Sequence, residues 1–587
     1  MTQPYPRAIY FAASILLLWP TARAWAQAPT VLSTTPAANA GAAPRNGPLV
    51  VSFSQPLTAG SAGALKVFSS QRGGLRSRGA TPATVSGNGL RFAPQPYDFR
   101  PGETVRYTVT TAAQASTGAL AQPWVGQFTT AVAGTGRGAF AAPATNAEPA
   151  VGIRPVSVAV GDLDGDGDLD LVTVDAGSNN LSLRFNDGTG RFLASPAGFD
   201  WLLSAMPSSV VLGDVNGDGL LDVLIANEAD QTVAVLVGLG GGRLGASGSA
   251  YVPLGQGPGH LALGDIDGDG DLDFVTANFG TGSVSIGLND GHGAFAVPAT
   301  NGLVAAGART RQVALGDVDG DGDLDLLATN ESIGSGNQGT VSVRLNNGAG
   351  VFTAPATNAD VVAGFGPHAI ALGDVDGDGD LDAVITQYYN TTGIVLHNNG
   401  AGSFANVNPN VSFSLPAYPT SLALGDVDGD GDLDVVAAGE LHGVASVRLN
   451  AGGAFTSPPP GGQPTLNGLN NSVVLGDVDG DGDLDLLATN RSTNTVSVRL
   501  NGGTGPLATV PAAAATLALY PSPAHDWVAV AGATPHAVLA VVDTLGRPLL
   551  LATADATGAA ALVLPSGTPA GIYVVRAGTR TAKLLVE

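Results

Sequence analysis

Gly316-Asp-Val-Asp-Gly-Asp-Gly-Asp-Leu-Asp325 is the stretch that decides how this chain folds. Counted from Asp317, it sets acids at positions 1, 3, 5 and 9 and glycine at position 6. Alternating hard oxygen donors are what calcium requires, and the glycine lets the backbone wrap around the ion. The remaining ligand is expected from the main-chain carbonyl of position 7, which frees the side chain there: it is Asp168 in the first copy and Leu220 in the second. Seven copies begin at Asp162, Asp214, Asp265, Asp317, Asp374, Asp426 and Asp477, at intervals of 51 to 57 residues.

That interval predicts the architecture. An apolar stretch such as Gln312 to Leu315 enters the loop and a second, Leu324 to Ala328, leaves it. A third, Val341 to Leu345, alternates apolar with polar residues, and a fourth opens at an aromatic or leucine: Phe140, Phe192, Leu244, Phe295, Phe352, Phe404 or Phe455. Asn-Gly and Asp-Gly turns such as Asn346 to Gly350 join the third to the fourth, supplying the positive φ of a tight hairpin. Four short antiparallel strands, repeated seven times, predict a seven-bladed β-propeller. Phe140 lies ahead of the first complete repeat, so residues 138 to 146 are expected to supply the outer strand of the last blade and close the ring. The corresponding segment after the seventh loop, Leu507 to Val510, is degraded.

Composition agrees. The chain has 587 residues, 83 glycines, 38 prolines and a formal charge of −24. The loops hold 33 of its 49 acids, so the acidity belongs to the candidate cation sites; seven divalent ions bring the total to about −10. With no lysine in the repeats and scattered arginines, nucleic acid is excluded as a partner. Arg7, the apolar run Ala8 to Trp19 and Ala24-Trp-Ala26 read as a signal peptide over residues 1–26. No later run is long enough to span a membrane. An exported chain without cysteine has no disulfides, which leaves metal sites as its cross-links.

The loops resemble those of FG-GAP and VCBS repeats, the propeller family that includes the integrin α-chain head; the missing Phe-Gly and Gly-Ala-Pro elements place the bacterial VCBS branch closer and leave integrin-type ligand recognition unsupported. The resemblance implies one calcium per loop, held by the side chains at positions 1, 3, 5 and 9 and the carbonyl at 7. Carried onto this sequence, the ligand sets are Asp162, Asp164, Asp166, Asp168 and Asp170; then Asp214, Asn216, Asp218, Leu220 and Asp222; then Asp265, Asp267, Asp269, Asp271 and Asp273; then Asp317, Asp319, Asp321, Asp323 and Asp325; then Asp374, Asp376, Asp378, Asp380 and Asp382; then Asp426, Asp428, Asp430, Asp432 and Asp434; and Asp477, Asp479, Asp481, Asp483 and Asp485. Asn216 lowers the charge of the second site, expected to be the weakest. An EF-hand is excluded because position 12 of the first loop is Thr173, within a strand pattern. A calcium β-roll is excluded by its far shorter repeat, and a metal-free turn by the mutual repulsion of four carboxylates.

Residues 27–132, with Val31 to Pro36, Val50 to Pro56, Arg100 to Tyr107 and Gly126 to Thr130, resemble bacterial Ig-like domains, which implies a β-sandwich spacer. Residues 133–510 form the propeller and 511–516 a linker. In 517–587, Tyr520-Pro-Ser-Pro523, Val541 to Arg547, Ala570 to Val575 and Lys583 to Glu587 resemble the type A sorting domain of the type IX secretion system, implying passage across an outer membrane. The expected fold class is all-β: a seven-bladed calcium-binding propeller flanked by an Ig-like sandwich and a small C-terminal sandwich.

The acidic loops and Asn-Gly hairpins are expected on one face of the disc. The opposite face collects Trp201, Arg309, Arg311, Phe365, His368 and Tyr418 before the innermost strands, and Glu228, Phe279, Glu331, Tyr388, Tyr389, His442 and Arg491 between second and third strands. Varied loops on a fixed frame are where binding resides, and aromatics with arginine suit a protein or glycan. His260, His368 and His292 read as structural, and no triad, zinc-spaced histidine cluster or phosphate loop is present. The sequence therefore points to a secreted or surface binding protein without catalytic residues. A secreted polysaccharide lyase or hydrolase, or a passive spacer, is the alternative.

Overall fold

The computed structural model describes residues 27–586, except 79–81, 135, 196–199, 204–205, 332–337, 405–410, 416, 442, 459–461, 503–517, 521–526, 532–536, 543–546, 555–559, 566–567, 570 and 578–579. The proposed signal peptide and linker, Leu507 to Val510 and His442 lie outside the described residues. The chain divides into two units, 1–505 and 506–587.

Seven antiparallel sheets in the first unit follow the acidic loops one for one. In the fourth, Thr310–Gly316 pairs with Asp325–Asn330, that strand with Thr340–Arg344, and that with Asp360–Val362. The second strand of every blade is buried at all six positions, as Asp325–Asn330 shows, because its two faces meet the two neighbouring blades. Apolar clusters accordingly join consecutive blades, and one joins Val158 and Leu171 of the first to Leu487 and Val498 of the seventh. The innermost strands are stapled around the ring. Ser157 Oγ accepts the Val210 N–H at 3.2 Å, Ser209 Oγ that of Leu261 at 3.2 Å and Ser421 Oγ that of Val473 at 3.1 Å.

Closure follows the expected route: Phe140–Ala141 pairs with Thr495–Asn501 as the outer strand of the seventh blade. Both chain ends of the ring thus share one sheet, which removes an exposed edge. The expected opening of the fourth strand holds at Phe140, Phe192 and Phe295, and Leu244 lies within its strand. In blade four it shortens to the isolated bridge Leu345–Thr353 beside Phe352, with Asp360–Val362 as a further outer strand, and in blade five it is corrected: the outer strand is Val411–Ser414. In blade six only the isolated bridges Leu449–Thr456 and Val444–Thr465 mark that edge among the described residues. Phe404 is instead buried in the apolar seam between blades four and five, where inter-blade packing outweighs strand continuity.

The N-terminal sandwich packs a sheet of Val31–Thr35, Leu49–Phe53, Gly89–Phe92 and Thr84–Ser86 on one of Leu65–Phe68, Thr104–Val109 and Trp124–Thr129. Phe53, Phe92, Phe99, Tyr107 and Phe128 fill its core. It is seated on the acidic-loop face of the disc. Val125 N–H donates to Gly322 O at 2.5 Å, Ala133 N–H to Gly482 O at 3.0 Å, and the Arg106 guanidinium to Leu263 O at 3.1 Å. The second unit is a separate pair of sheets around Val528, Val530, Leu539, Val541, Leu562 and Leu584. Among the described residues no helix is long and apolar enough to cross a membrane.

Candidate functional site

Each acidic loop is shaped by its own backbone before any ion is considered. In the fourth, Asp317 accepts Gly320 N–H on Oδ1 at 2.8 Å and Gly322 N–H on Oδ2 at 3.0 Å. Gly320 and Gly322 have φ of 77° and 93°, which side-chain-bearing residues rarely adopt. Asp325, at position 9, accepts Val318 N–H at 3.0 Å and Asn346 N–H at 2.8 Å, one on each oxygen. Carboxylate oxygens of Asp317, Asp319 and Asp325 lie within 4.8 Å of one another, as do those of Asp162, Asp164 and Asp170, of Asp265, Asp267 and Asp269, and of Asp374, Asp376 and Asp378. Positions 1 and 3 thus converge with position 9 in two of these loops and with position 5 in the other two. The carboxylates of Asp168, Asp271, Asp323 and Asp380, at position 7, turn instead toward hairpin glycines Gly188, Gly291, Gly348 and Gly400, leaving their main-chain carbonyls as the groups to offer an ion.

Burial penalises these charges. It pushes Asp325 and Asp434 up to about 8, and Asp170 and Asp222 to about 7, against the pull of backbone N–H donors and with added repulsion from neighbouring acids. Asp265 and Asp317, at position 1, rise to about 7 for the same first reason. An all-oxygen, multiply anionic, desolvated nest fits a hard divalent cation.

Neighbouring blades are joined at these loops. The asparagine that ends the third strand donates its side-chain amide to the position-2 carbonyl of the preceding blade's loop: Asn186 to Val478 O, Asn289 to Val215 O, Asn346 to Ile266 O, Asn398 to Val318 O, Asn450 to Val375 O and Asn501 to Val427 O, all at 2.7 to 2.8 Å. The second blade has Gly238 there.

The first two loops depart from the others. Buried Glu103 bonds Ser69 and the N–H groups of Arg100 and Gln71, fixing a turn that carries Arg72 outward. The Arg72 Nε lies 3.1 Å from Asp162 Oδ2, and Leu75 N–H donates to Asp214 Oδ2 at 3.0 Å. Asn216 turns its amide to Asp218 Oδ2 at 3.1 Å. The sequence did not foresee Arg72, because its partner lies 90 residues away on another domain.

The opposite face holds one connected network. Arg309 and Arg311 lie over the Phe279 ring, 4.6 and 4.0 Å from its centroid. Arg311 makes two bonds to Glu331 Oε2, at 2.8 and 2.6 Å, and Tyr389 Oη donates to Glu331 Oε1 at 2.5 Å. Tyr388 stacks on His368 and meets Tyr389 and Tyr418 at 5.2 Å each. Its hydroxyl donates to Glu440 at 2.8 Å, which pairs with Arg491 at 3.3 Å. Five blades contribute. Arg309 and Tyr418 hold φ of 58° and 53° at the turn into their innermost strands, a conformation Arg154 and Met206 share at the same turn of the first two blades. Tyr389 and Tyr418 remain 46% and 40% exposed. Trp201 is not part of this group: it pairs with Leu181 at the outer edge of the first blade. Glu228 is exposed and Phe365 half-buried.

An FG-GAP-like repeat model matches residues 162–225, 214–276, 265–328, 332–385, 374–437 and 426–488, and a bacterial Ig-like domain model matches 26–130. No curated protein matches the chain. Among solved structures, BBS1N in complex with ARL6DN is 15% identical, covers 63% of this chain and 99% of its own, and has a TM-score of 0.42. An Agrocybe aegerita lectin that recognises non-reducing terminal N-acetylglucosamine is 22% identical, with 58% and 86% covered and a TM-score of 0.37. PorZ, a surface component of the type-IX secretion system of Porphyromonas gingivalis, is 14% identical, with 82% and 64% covered and a TM-score of 0.36.

Proposed function

Because the chain belongs to the FG-GAP-like repeat family, we propose that it is a secreted or surface-displayed propeller, stabilised by about seven calcium ions, that binds an extracellular carbohydrate or protein on the face opposite its acidic loops. The observation that carries this is the difference between the faces. One is covered by the Ig-like domain; the other displays an aromatic and ion-paired network drawn from loops on a rigid ring. Within it Arg309 and Arg311 are paired with Glu331, and Arg491 with Glu440, while Glu228 adds a third carboxylate to the same face outside the network. A charge-balanced surface with fixed, half-exposed tyrosines favours carbohydrate over an anionic partner. Export through the signal peptide and the type IX sorting domain over 517–587 completes the proposal, with that machinery as a second partner.

The catalytic alternative has less support. Burial and the Glu440 carboxylate push Tyr388 up to about 12, and desolvation lowers His260 and His368 to about 4, so none is tuned as an acid or base near neutral pH. The test is a glycan and extracellular-matrix protein array with the calcium-loaded protein, repeated with a Tyr389→Ala, Tyr418→Ala double variant. Loss of at least about tenfold in affinity is expected. Binding that the double variant leaves unchanged refutes the assignment.

A further inference from the structure

The fifth acidic loop differs from its six relatives in one residue that lies outside the loop. The side chain preceding the hairpin at the end of the third strand is Phe185, Val237, Leu288, Leu345, Leu449 or Leu500 in the other blades, and His397 in the fifth. The strand register aims this position at the cation nest. His397 Nδ1 lies 3.2 Å from Asp376 Oδ2 and 3.4 Å from Asp382 Oδ2. The three groups form a cluster in which all ligand atoms lie within 4.8 Å of one another, and Asp374 and Asp378 share the Asp376 carboxylate's neighbourhood. The Nδ1 atom is buried and makes no hydrogen bond.

The surrounding bonds have adjusted to it. The position-2 N–H reaches the position-9 carboxylate at 2.8 to 3.0 Å in the other six loops, but Val375 N–H lies 3.4 Å from Asp382 Oδ2. The oxygen that faces His397 is thus the one least engaged by backbone. Two ligands bound at 2.0 to 2.1 Å to a tetrahedral centre are about 3.3 to 3.4 Å apart, which the observed separations approach. Calcium gains little from imidazole, since it is a hard ion that selects oxygen, whereas zinc and cobalt bind nitrogen readily.

We propose that Asp376, Asp382 and His397 make the fifth loop a site for a borderline divalent transition ion of the zinc or cobalt class, distinct in metal preference from the six all-oxygen loops. The proposal rests on the reading of the acidic loops as cation sites, and refines it for one loop. It gives the chain a second, separately addressable metal.

The test uses untagged full-length protein held in excess calcium. Cobalt(II), then zinc(II), is added, unbound ion is removed, and retained metals are counted by elemental analysis, with the visible spectrum of bound cobalt as a second readout. One retained equivalent with a nitrogen-ligand cobalt spectrum is expected. His397→Leu, which installs the residue present in four other blades, should abolish it while leaving the melting temperature and the calcium count of the other loops in place; His397→Gln serves if the leucine variant fails to fold. No retained cobalt or zinc, or equal retention by both variants, overturns the proposal. A normal calcium count with no transition ion would defeat it while sparing the calcium reading, and absence of calcium with His397-dependent cobalt would do the reverse.

Discussion

Replacing Asn346 by alanine tests the joint that holds one blade to the next. Its amide donates to Ile266 O at 2.8 Å and Leu324 O at 3.1 Å, and all three groups are buried. Alanine keeps the backbone N–H bond to Asp325 and deletes three side-chain bonds: the two donated by the amide and the one its Oδ1 accepts from Asn347 N–H at 2.9 Å. Each orphaned buried carbonyl costs about 1–3 kcal/mol, partly relieved by relaxation, so we expect a loss of about 2–4 kcal/mol. For a domain of this size that lowers the melting temperature by about 3–5 °C. The assay is calorimetry on the propeller's own transition, because a chain of several units does not melt as one. The control is Asn347→Ala, whose exposed Oδ1 accepts only Ala349 and Val351 N–H within its turn; its cost should stay below about 1 kcal/mol. Ile266 sits between Asp265 and Asp267, so Asn346→Ala should also weaken calcium binding in the preceding blade. Equal melting temperatures for the two variants would refute the inter-blade joint.

Two further outcomes follow from the site electrostatics. With calcium chelated, folded Asp325 and Asp434 titrate near 8 and Asp170 and Asp222 near 7, against about 4 when unfolded. The folded apo chain then holds more protons than the unfolded one across that window, so its stability falls as pH rises from 5 to 8. Calcium binds the deprotonated form and reverses the trend; melting curves with equal pH slopes with and without calcium would sink this account. Arg72→Ala removes a cation 3.1 Å from Asp162 and should raise calcium affinity at one site by about three- to tenfold, read by calorimetric titration. An unchanged set of affinities would show that Arg72 does not compete with the ion.

The all-β class, the seven repeats, the loop positions and the ring closure through Phe140 were legible in the sequence because each is local or periodic. Loop chemistry repeats within ten residues, strand alternation within six, and the displaced Phe140 reveals a missing outer strand by register alone. What the tertiary structure decided depends on groups distant in the chain. Asp162 meets Arg72, and Asp376 and Asp382 meet His397, only once strands are paired and domains are seated. Comparing the seven repeats column by column could have flagged His397, since histidine replaces an aliphatic or phenylalanine there. Nothing local announces Arg72, or that the Ig-like domain is seated on the acidic-loop face instead of serving as the free spacer its resemblance implied. Which oxygens face a cation, which face of the ring stays open, and which varied residues form a network are long-range packing outcomes. A linear pattern fixes which donors exist, and only the closed ring sets the distances between them.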